Sequence, residues 1–558
     1  MQVVRASGRI ELGVFAAGRR ALLVAGWLVC TGLLAAHDGA RADVSREILN
    51  ITDALMHSPE AARVSVAKIR EARVVDLVYQ QLAHQPLWDE VLAAQILNLL
   101  RRSREEGLNP ADYHYNELLA LQAEYDEPWA NPDLLRAQFD ILLTDGVLHF
   151  ARHLLEGKVD PATLDSTWNY NRREFDPNRV SGDLIAAARA GSLSGLVEGL
   201  KPDTPFYRQM RDALAYYREL ADSEQFFLVP DGEILKRGQS HPNVRLLRSR
   251  LKQLSYLLPN SPETEYFDEQ LEAATRLFQK DNGIDNDGVV GKRSYQVLNM
   301  TFQARVDRLR VNMDRYRWIR QEVGQEVIVV NIAGYELYYL RDGELRWETP
   351  VMVGTIDTRT PIFQAQLRYL EFNPTWNAPR SIVQRSLFGK FAANPQYVVD
   401  KGYRLFDSNG AVVDPLTINW SNYSARTFPF RVVQMPGPDN AMGQVKFMFP
   451  NRHAVYLHDT PSRSLFSKTQ RAFSAGCIRV QNPLEFARIL LDDSSQWSDD
   501  QIQQLVDNGD PQRVVRLNRQ INVMLMYWTV SPTASSRIQF HPDVYQLDAA
   551  ALAALNEG

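Results

Sequence analysis

The chain has 558 residues, length enough for about three or four domains, with 45% hydrophobic and 23% charged residues. That composition excludes disordered, collagenous and many-span membrane classes. A formal charge of −5, from 62 basic and 67 acidic residues, gives no reason to expect a nucleic-acid partner, and two cysteines exclude a disulfide scaffold and most thiolate metal sites. Residues 1–42 read as a secretory signal: Arg5, Arg9, Arg19 and Arg20 precede an apolar run from Ala21 to Ala36, and Ala40-Arg41-Ala42 offers a small-x-small cleavage pattern. Arg19-Arg20 is a poor twin-arginine match, and Cys30 lacks the small residue that precedes a lipoprotein cysteine, so general export is expected. The apolar run is short of the ~20 residues that span a bilayer. An uncleaved signal would instead anchor the chain in the inner membrane.

Residues 43–235 read as a chiefly helical domain with turns at Gly107-Leu108-Asn109-Pro110, Gly157 to Pro161 and Lys201-Pro202-Asp203. His149 and His153 fall one helical turn apart, but no third ligand is evident, so they are read as structural and no metal is expected. Residues 240–300 form a smaller helical unit. Val244, Leu247, Leu251 and Leu254 recur at helical spacing, as do Leu271, Ala274, Leu277 and Phe278 behind Asp268 as N-cap; Gly283, Asp287-Gly288 and Gly291 then turn into a short third helix. The basic, aromatic stretch Arg305 to Trp318 predicts a helical connector over 301–324.

Residues 325–500 hold the candidate nucleophile and base. Residues 381–430 read as an insert, broken at Asn394-Pro395 and Ser408-Asn409-Gly410 and rich in aromatics, that would cover a cleft as a lid. Ala454 to His458 alternates as a strand does, which puts Tyr456 and His458 on one face. Cys477 follows Ser474-Ala475-Gly476, small residues that let the backbone turn sharply, and precedes strand-like Ile478 and Val480; Asn482 and Pro483 then open a helix. With the signal removed, Cys477 is the only thiol of an exported chain. Taken alone it could be buried and inert, bridged between molecules, or reactive. His458 is the candidate base that would take its proton and form a thiolate–imidazolium pair. Residues 501–558, with Val523 to Trp528 strand-like and Asp543 to Leu555 turning helical, are expected to pack back on the first helical domain.

The run from His458, across fifteen residues, to Ser474-Ala475-Gly476-Cys477-Ile478-Arg479 resembles the active-site signature of the L,D-transpeptidases, whose YkuD-type domain cross-links bacterial peptidoglycan. Val353-Gly354, Arg359-Thr360-Pro361, Asn373-Pro374-Thr375-Trp376 and Pro379-Arg380-Ser381-Ile382 are similar to the same family. One position departs: Ala475 stands where the family commonly has a second histidine. The unit at 240–300 resembles a small peptidoglycan-binding module, and Gly107 to Tyr113 and Leu154 to Pro161 resemble the scaffold domain of larger members.

The resemblance implies an α+β multidomain protein: helical scaffold, small helical peptidoglycan-binding module and mostly β catalytic domain. It implies acyl transfer from a tetrapeptide stem to a diaminopimelate amine, with release of D-alanine. Cys477 would be nucleophile and His458 base, the amides of Gly476 and Cys477 an oxyanion hole, and Tyr456, Ser474 and Arg479 substrate contacts, with a solvated or structural ion-pair role the alternative for Arg479; Trp376, read from its place after Asn-Pro, either lines the donor pocket or packs as plain core. No cofactor is required. Stem peptides are the expected partners, wall synthases further ones, the periplasm the compartment, and carbapenems covalent inhibitors. A cysteine L,D-carboxypeptidase, a lipoprotein-attaching transpeptidase and a non-catalytic wall-binding scaffold are the alternatives.

Overall fold

A computed structural model describes residues 37–58, 62–125, 131–223, 225–319, 324–493, 495–533 and 537–557. The apolar run expected to act as an export signal lies outside them. The described chain begins with helix α1 (His37–His57), and no described helix is long and apolar enough to cross a membrane.

Four of the N-terminal helices start where Asn, Asp or Thr is followed by Pro. Asn131, Asp160, Asp176 and Thr204 each accept from a first-turn amide, and the next proline, whose missing N–H is no loss at that position, begins the helix. The longest of them, α2 (Pro132–Glu156), is buried along most of its length, and its polar interior is paired. Asp145 accepts from the amides of Arg70 and Glu71 and from His114, and Asp140 from Tyr79 and the amides of Leu87 and Trp88. His149 and His153 are engaged within this core, with Glu71 and the Tyr113 hydroxyl.

In the smaller unit, helices Pro242–Gln253 and Glu269–Asp281 pack through Val244, Leu247, Leu251, Leu271 and Phe278; Asp268 caps the second, and Leu277 is exposed. Helix α3 (Phe302–Arg317) joins all parts. Asp314 accepts from the amides of Lys158 and Val159, Arg317 donates to the Tyr207 hydroxyl, Arg315 pairs with Asp548, and Asn312 holds Thr529.

Residues 326–526 are built on nine strands: β1 (Glu326–Asn331), β2 (Glu336–Arg341), β3 (Glu344–Gly354), β4 (Phe363–Phe372), β5 (Val445–Met448), β6 (Leu457–His458), β7 (Ala472–Ser474), β8 (Ile478–Val480) and β9 (Arg513–Met526). They pair in the order β7-β3-β8-β6-β5-β4-β9-β1-β2, and β2 also pairs with β3, so the sheet closes on itself with β7 as a branch. Closure removes exposed edges and encloses a core of alternating apolar residues such as Ile328, Val353, Leu370, Phe447, Leu457, Ile478 and Val523. The expected domain end at 500 is therefore too early. β9 lies inside the sheet, antiparallel to β4 and parallel to β1, because its second half, Ile521 to Met526, is apolar enough for burial. Beyond it, helix Asp548–Asn556 packs on the connector α3.

Between β4 and β5 the chain leaves the barrel. Trp376–Asn377, Arg431–Gln434, Tyr403–Phe406 and Val412–Val413 form a second, antiparallel sheet in that order, backed by short helices that carry Phe391, Val398 and Trp420 and by Phe428 packed among them. The insert thus spans 376–434, wider than the expected 381–430, and has its own core.

His541 sits where the smaller helical unit meets the barrel, buried, with Nε2 2.8 Å from the Ser531 hydroxyl. Burial holds its pKa down to about 3. The unfolded chain, with an ordinary histidine near 6.5, takes up a proton as pH falls from 6.5 to 3 and the folded chain does not, so this residue's contribution is complete above 6.5 and is lost across that window. Relative to a His541→Gln variant, the wild type should lose about 1.4 kcal/mol of stability per pH unit there. Urea unfolding at pH 7, 6, 5 and 4 measures it; parallel trends would refute it.

Candidate active site

Two short parallel strands set the geometry. In the β6–β8 ladder Leu457 pairs with Ile478 and His458 with Arg479, and the Ile478 amide donates to the Tyr456 carbonyl at 3.1 Å. Leu457, Ile478 and Val480 face the barrel core, so alternation turns Tyr456, His458, Cys477 and Arg479 to the other side. Cys477 and His458 are diagonal neighbours on one face, a relation in which side chains reach one another.

Cys477 is partly exposed, and its sulfur lies 3.8 Å from the Ala454 carbonyl oxygen. Burial, and next the charge of Cys477 beside it, push the Tyr456 hydroxyl's pKa up. The Tyr456 ring meets the His458 ring edge-on at 5.7 Å and packs against the cores of both barrel and insert. His458 is buried and donates its Nδ1–H to the Asp459 carbonyl oxygen at 2.5 Å. A carbonyl can only accept, so the proton is on Nδ1 and Nε2 keeps its lone pair. The bond fixes the tautomer a general base needs.

Burial lowers the pKa of His458 to about 3, helped by the nearby charges of Arg479 and Lys446, and raises that of the Cys477 thiol. The expected thiolate–imidazolium pair is thus not the resting form. Both groups rest neutral, because desolvation opposes each charge, and the proton would move as the sulfur attacks.

The other sequence candidates divide. Arg479 is partly buried, its Nε has no partner, and no ion pair of it is found among the described residues. Ser474 does not fit a substrate contact. Its buried hydroxyl donates to the Cys477 carbonyl at 2.5 Å and accepts from the Gly476 amide at 3.1 Å, so it braces the loop. That bond also engages the Gly476 N–H, one donor of the expected oxyanion pair. Gly476 earns its place through φ +118°, a conformation side chains rarely adopt. Trp376 is buried in the insert core, where an apolar ring packs at lower cost than facing the cleft. Asn482 holds the N-cap position at φ +52° with no side-chain cap.

A support that sequence reasoning missed comes from the turn after β3. Thr360 Oγ1 donates to the Gly476 carbonyl at 2.8 Å and accepts from the Gly354 amide at 2.9 Å. Tyr545, far along the chain, accepts from the Thr360 amide and donates to the Gly354 carbonyl. The only signal was Thr360 within a run already noted for its family likeness; Tyr545 gave none. Thr360→Val should leave the Gly476 carbonyl unpaired, costing about 1–3 kcal/mol of stability and slowing acylation of Cys477, with Thr360→Ser restoring both. Thermal melts and intact-mass time courses read the two effects; a valine variant acylated at the wild-type rate would refute the brace.

Residues 325–513 match the L,D-transpeptidase catalytic domain, 240–298 a family described as "Putative peptidoglycan binding domain", and 73–214 a scaffold domain. The chain therefore contains an L,D-transpeptidase catalytic domain of the YkuD family. A Haemophilus influenzae protein described as "Putative L,D-transpeptidase" is 37% identical over 221 residues, covering 40% of this chain and 44% of that protein. The match thus spans less than half of that relative's length. Among solved structures, an L,D-transpeptidase from Xylanimonas cellulosilytica aligns at 16% identity over 53% of this chain and 99% of its own, with TM-score 0.18. The L,D-transpeptidase LdtMt1 in complex with imipenem aligns at 14% over 36% and 59%, with TM-score 0.17. Superpositions this loose carry no argument about the site.

Proposed function

We propose that the protein is a peptidoglycan L,D-transpeptidase acting outside the cytoplasm. The observation that carries the reading is the shared sheet face of Cys477, Tyr456 and His458, with the imidazole fixed as the Nδ1–H tautomer. The Cys477 sulfur attacks the carbonyl joining the L-centre of diaminopimelate to the terminal D-alanine of a tetrapeptide stem. His458 Nε2 takes the thiol proton and gives it to the leaving amine, D-alanine departs, and a thioester remains. An amine of a second stem then attacks the thioester, its proton passing to His458 and on to the sulfur, and a direct diaminopimelate–diaminopimelate cross-link results. The Cys477 N–H faces the developing oxyanion. Arg479 draws a stem carboxylate, and the 376–434 insert shields the thioester from water.

The helical module at 240–298 would hold wall polymer beside the site and raise the local concentration of stems. Wall synthases are the further partners this role suggests, and an export signal at residues 1–42 would deliver the chain to the periplasm. Incubating the purified protein with tetrapeptide muropeptides tests the reading by mass. A dimer lacking one D-alanine supports it. A tripeptide monomer would mean a carboxypeptidase, and unchanged substrate a lipoprotein acceptor or a silent scaffold.

A further inference from the structure

Beside the thiol and imidazole, the same sheet face carries ionic side chains in direct register. Arg479 on β8 lies opposite His458 on β6, His458 opposite Lys446 on β5, and Lys446 opposite Glu371 on β4. Directly paired residues point to one face, so these four form a row across four strands. It ends in Met352 on β3 and Val514 on β9. Lys446 is largely buried, at 12% side-chain exposure, with Nζ 3.6 Å from a Glu371 carboxylate oxygen and 4.7 Å from the centre of the Tyr456 ring. The other Glu371 oxygen is buried without a partner. A buried ion pair adds little to stability over two apolar residues of similar size, and this one is incompletely satisfied, so folding alone does not account for it. The Tyr456 ring that Lys446 covers belongs to the same sheet face as Cys477, whose charge raises the tyrosine's pKa.

We propose that Lys446 is a positioning charge for the chemistry of Cys477: its ammonium, fixed by Glu371 and the Tyr456 ring, favours the anionic sulfur and keeps His458 neutral and able to accept a proton. It acts through the field it sets and through Tyr456. Burial raises the thiol pKa, and the charges of Lys446 and Arg479 oppose that rise; the same two charges help to lower His458. The ionisable groups on this face are Tyr456 and His458 at β6, Arg479 from β8, Lys446 from β5, Glu371 and Tyr369 from β4, and Arg516, opposite Tyr369, from β9. From the turn after β3, Arg359 lies over the Tyr545 ring instead. Glu371 opposes the effect, holding the ammonium in place while offsetting part of its charge.

The inference rests on Cys477 as nucleophile, and its test needs no substrate. Alkylation of Cys477 by iodoacetamide in the full chain, followed from pH 6 to 11 by peptide mass, gives the apparent pKa of the thiol. Lys446→Met should raise it by about half a pH unit or more and slow alkylation at pH 7 about threefold. Lys446→Arg should restore the wild-type profile, and Glu371→Gln should move the thiol the opposite way. Profiles that coincide for wild type and Lys446→Met overturn the proposal. So does an arginine variant as slow as the methionine one, which would make the effect one of packing. Should Lys446→Met fail to fold, the direction of the Glu371→Gln shift decides. Cross-linking is not measured, so failure here leaves the transpeptidase reading standing, and failure of the muropeptide assay leaves the alkylation profile unchanged.

Discussion

Serine in place of Cys477 should abolish dimer formation from tetrapeptide muropeptides and any covalent carbapenem adduct, a loss of at least about 10³-fold. Serine preserves shape and the contact with the Ala454 carbonyl, so folding is expected to survive. What goes is the nucleophile: a hydroxyl is far less acidic than a thiol, and a neutral imidazole whose pKa is held near 3 is too weak a base to activate it. Intact-mass spectrometry of wild type and variant with substrate, and separately with a carbapenem, reads both outcomes. Full activity in the serine variant would defeat the nucleophile assignment.

His458→Asn should slow acylation at pH 7 by about 10²- to 10⁴-fold, the range a positioned proton acceptor supplies. The deficit should shrink at pH values above the thiol's own pKa, where the sulfur ionises without help. In the wild type, a histidine titrating near 3 remains an unprotonated base throughout pH 5 to 8. The acylation rate should therefore show no fall centred near pH 6.5, where an ordinary histidine would protonate. Stopped-time mass measurements across pH, for both proteins, test this. An acid limb at 6.5 in the wild type, or a variant deficit that does not narrow in alkali, would contradict the role.

Sequence legibility followed the range of the interactions. The alternation from Ala454 to His458 and the small residues before Cys477 are local patterns, so Tyr456 and His458 on one face, and a turn before the thiol, could be read from the chain. The shift of the resting proton could not, because it comes from burial of His458 among strands remote in sequence. Trp376 and Ser474 were assigned to substrate by their neighbours; the insert core claims one and the nucleophile loop the other. Lys446, Glu371, Thr360 and Tyr545 gained their roles from cross-strand register and from contacts between distant segments, neither of which one strand announces. The domain end was misplaced for a related reason. The first half of β9, Arg513 to Gln520, alternates with exposed residues, and only pairing with β1 and β4 explains the apolar half that follows.

The place of β9 bears on when the site can form. β1 lies nearly two hundred residues upstream of its parallel partner, with Val327 beside Asn522 and Asn331 beside Met526. Until that late strand has left the ribosome and reached the place of folding, the ring has a gap between β1 and β4 and the sulfur has no finished wall behind it. Contacts so distant along the chain form slowly. Partial chains would accordingly stay chemically inert, and the reactive thiol would appear only in a finished molecule.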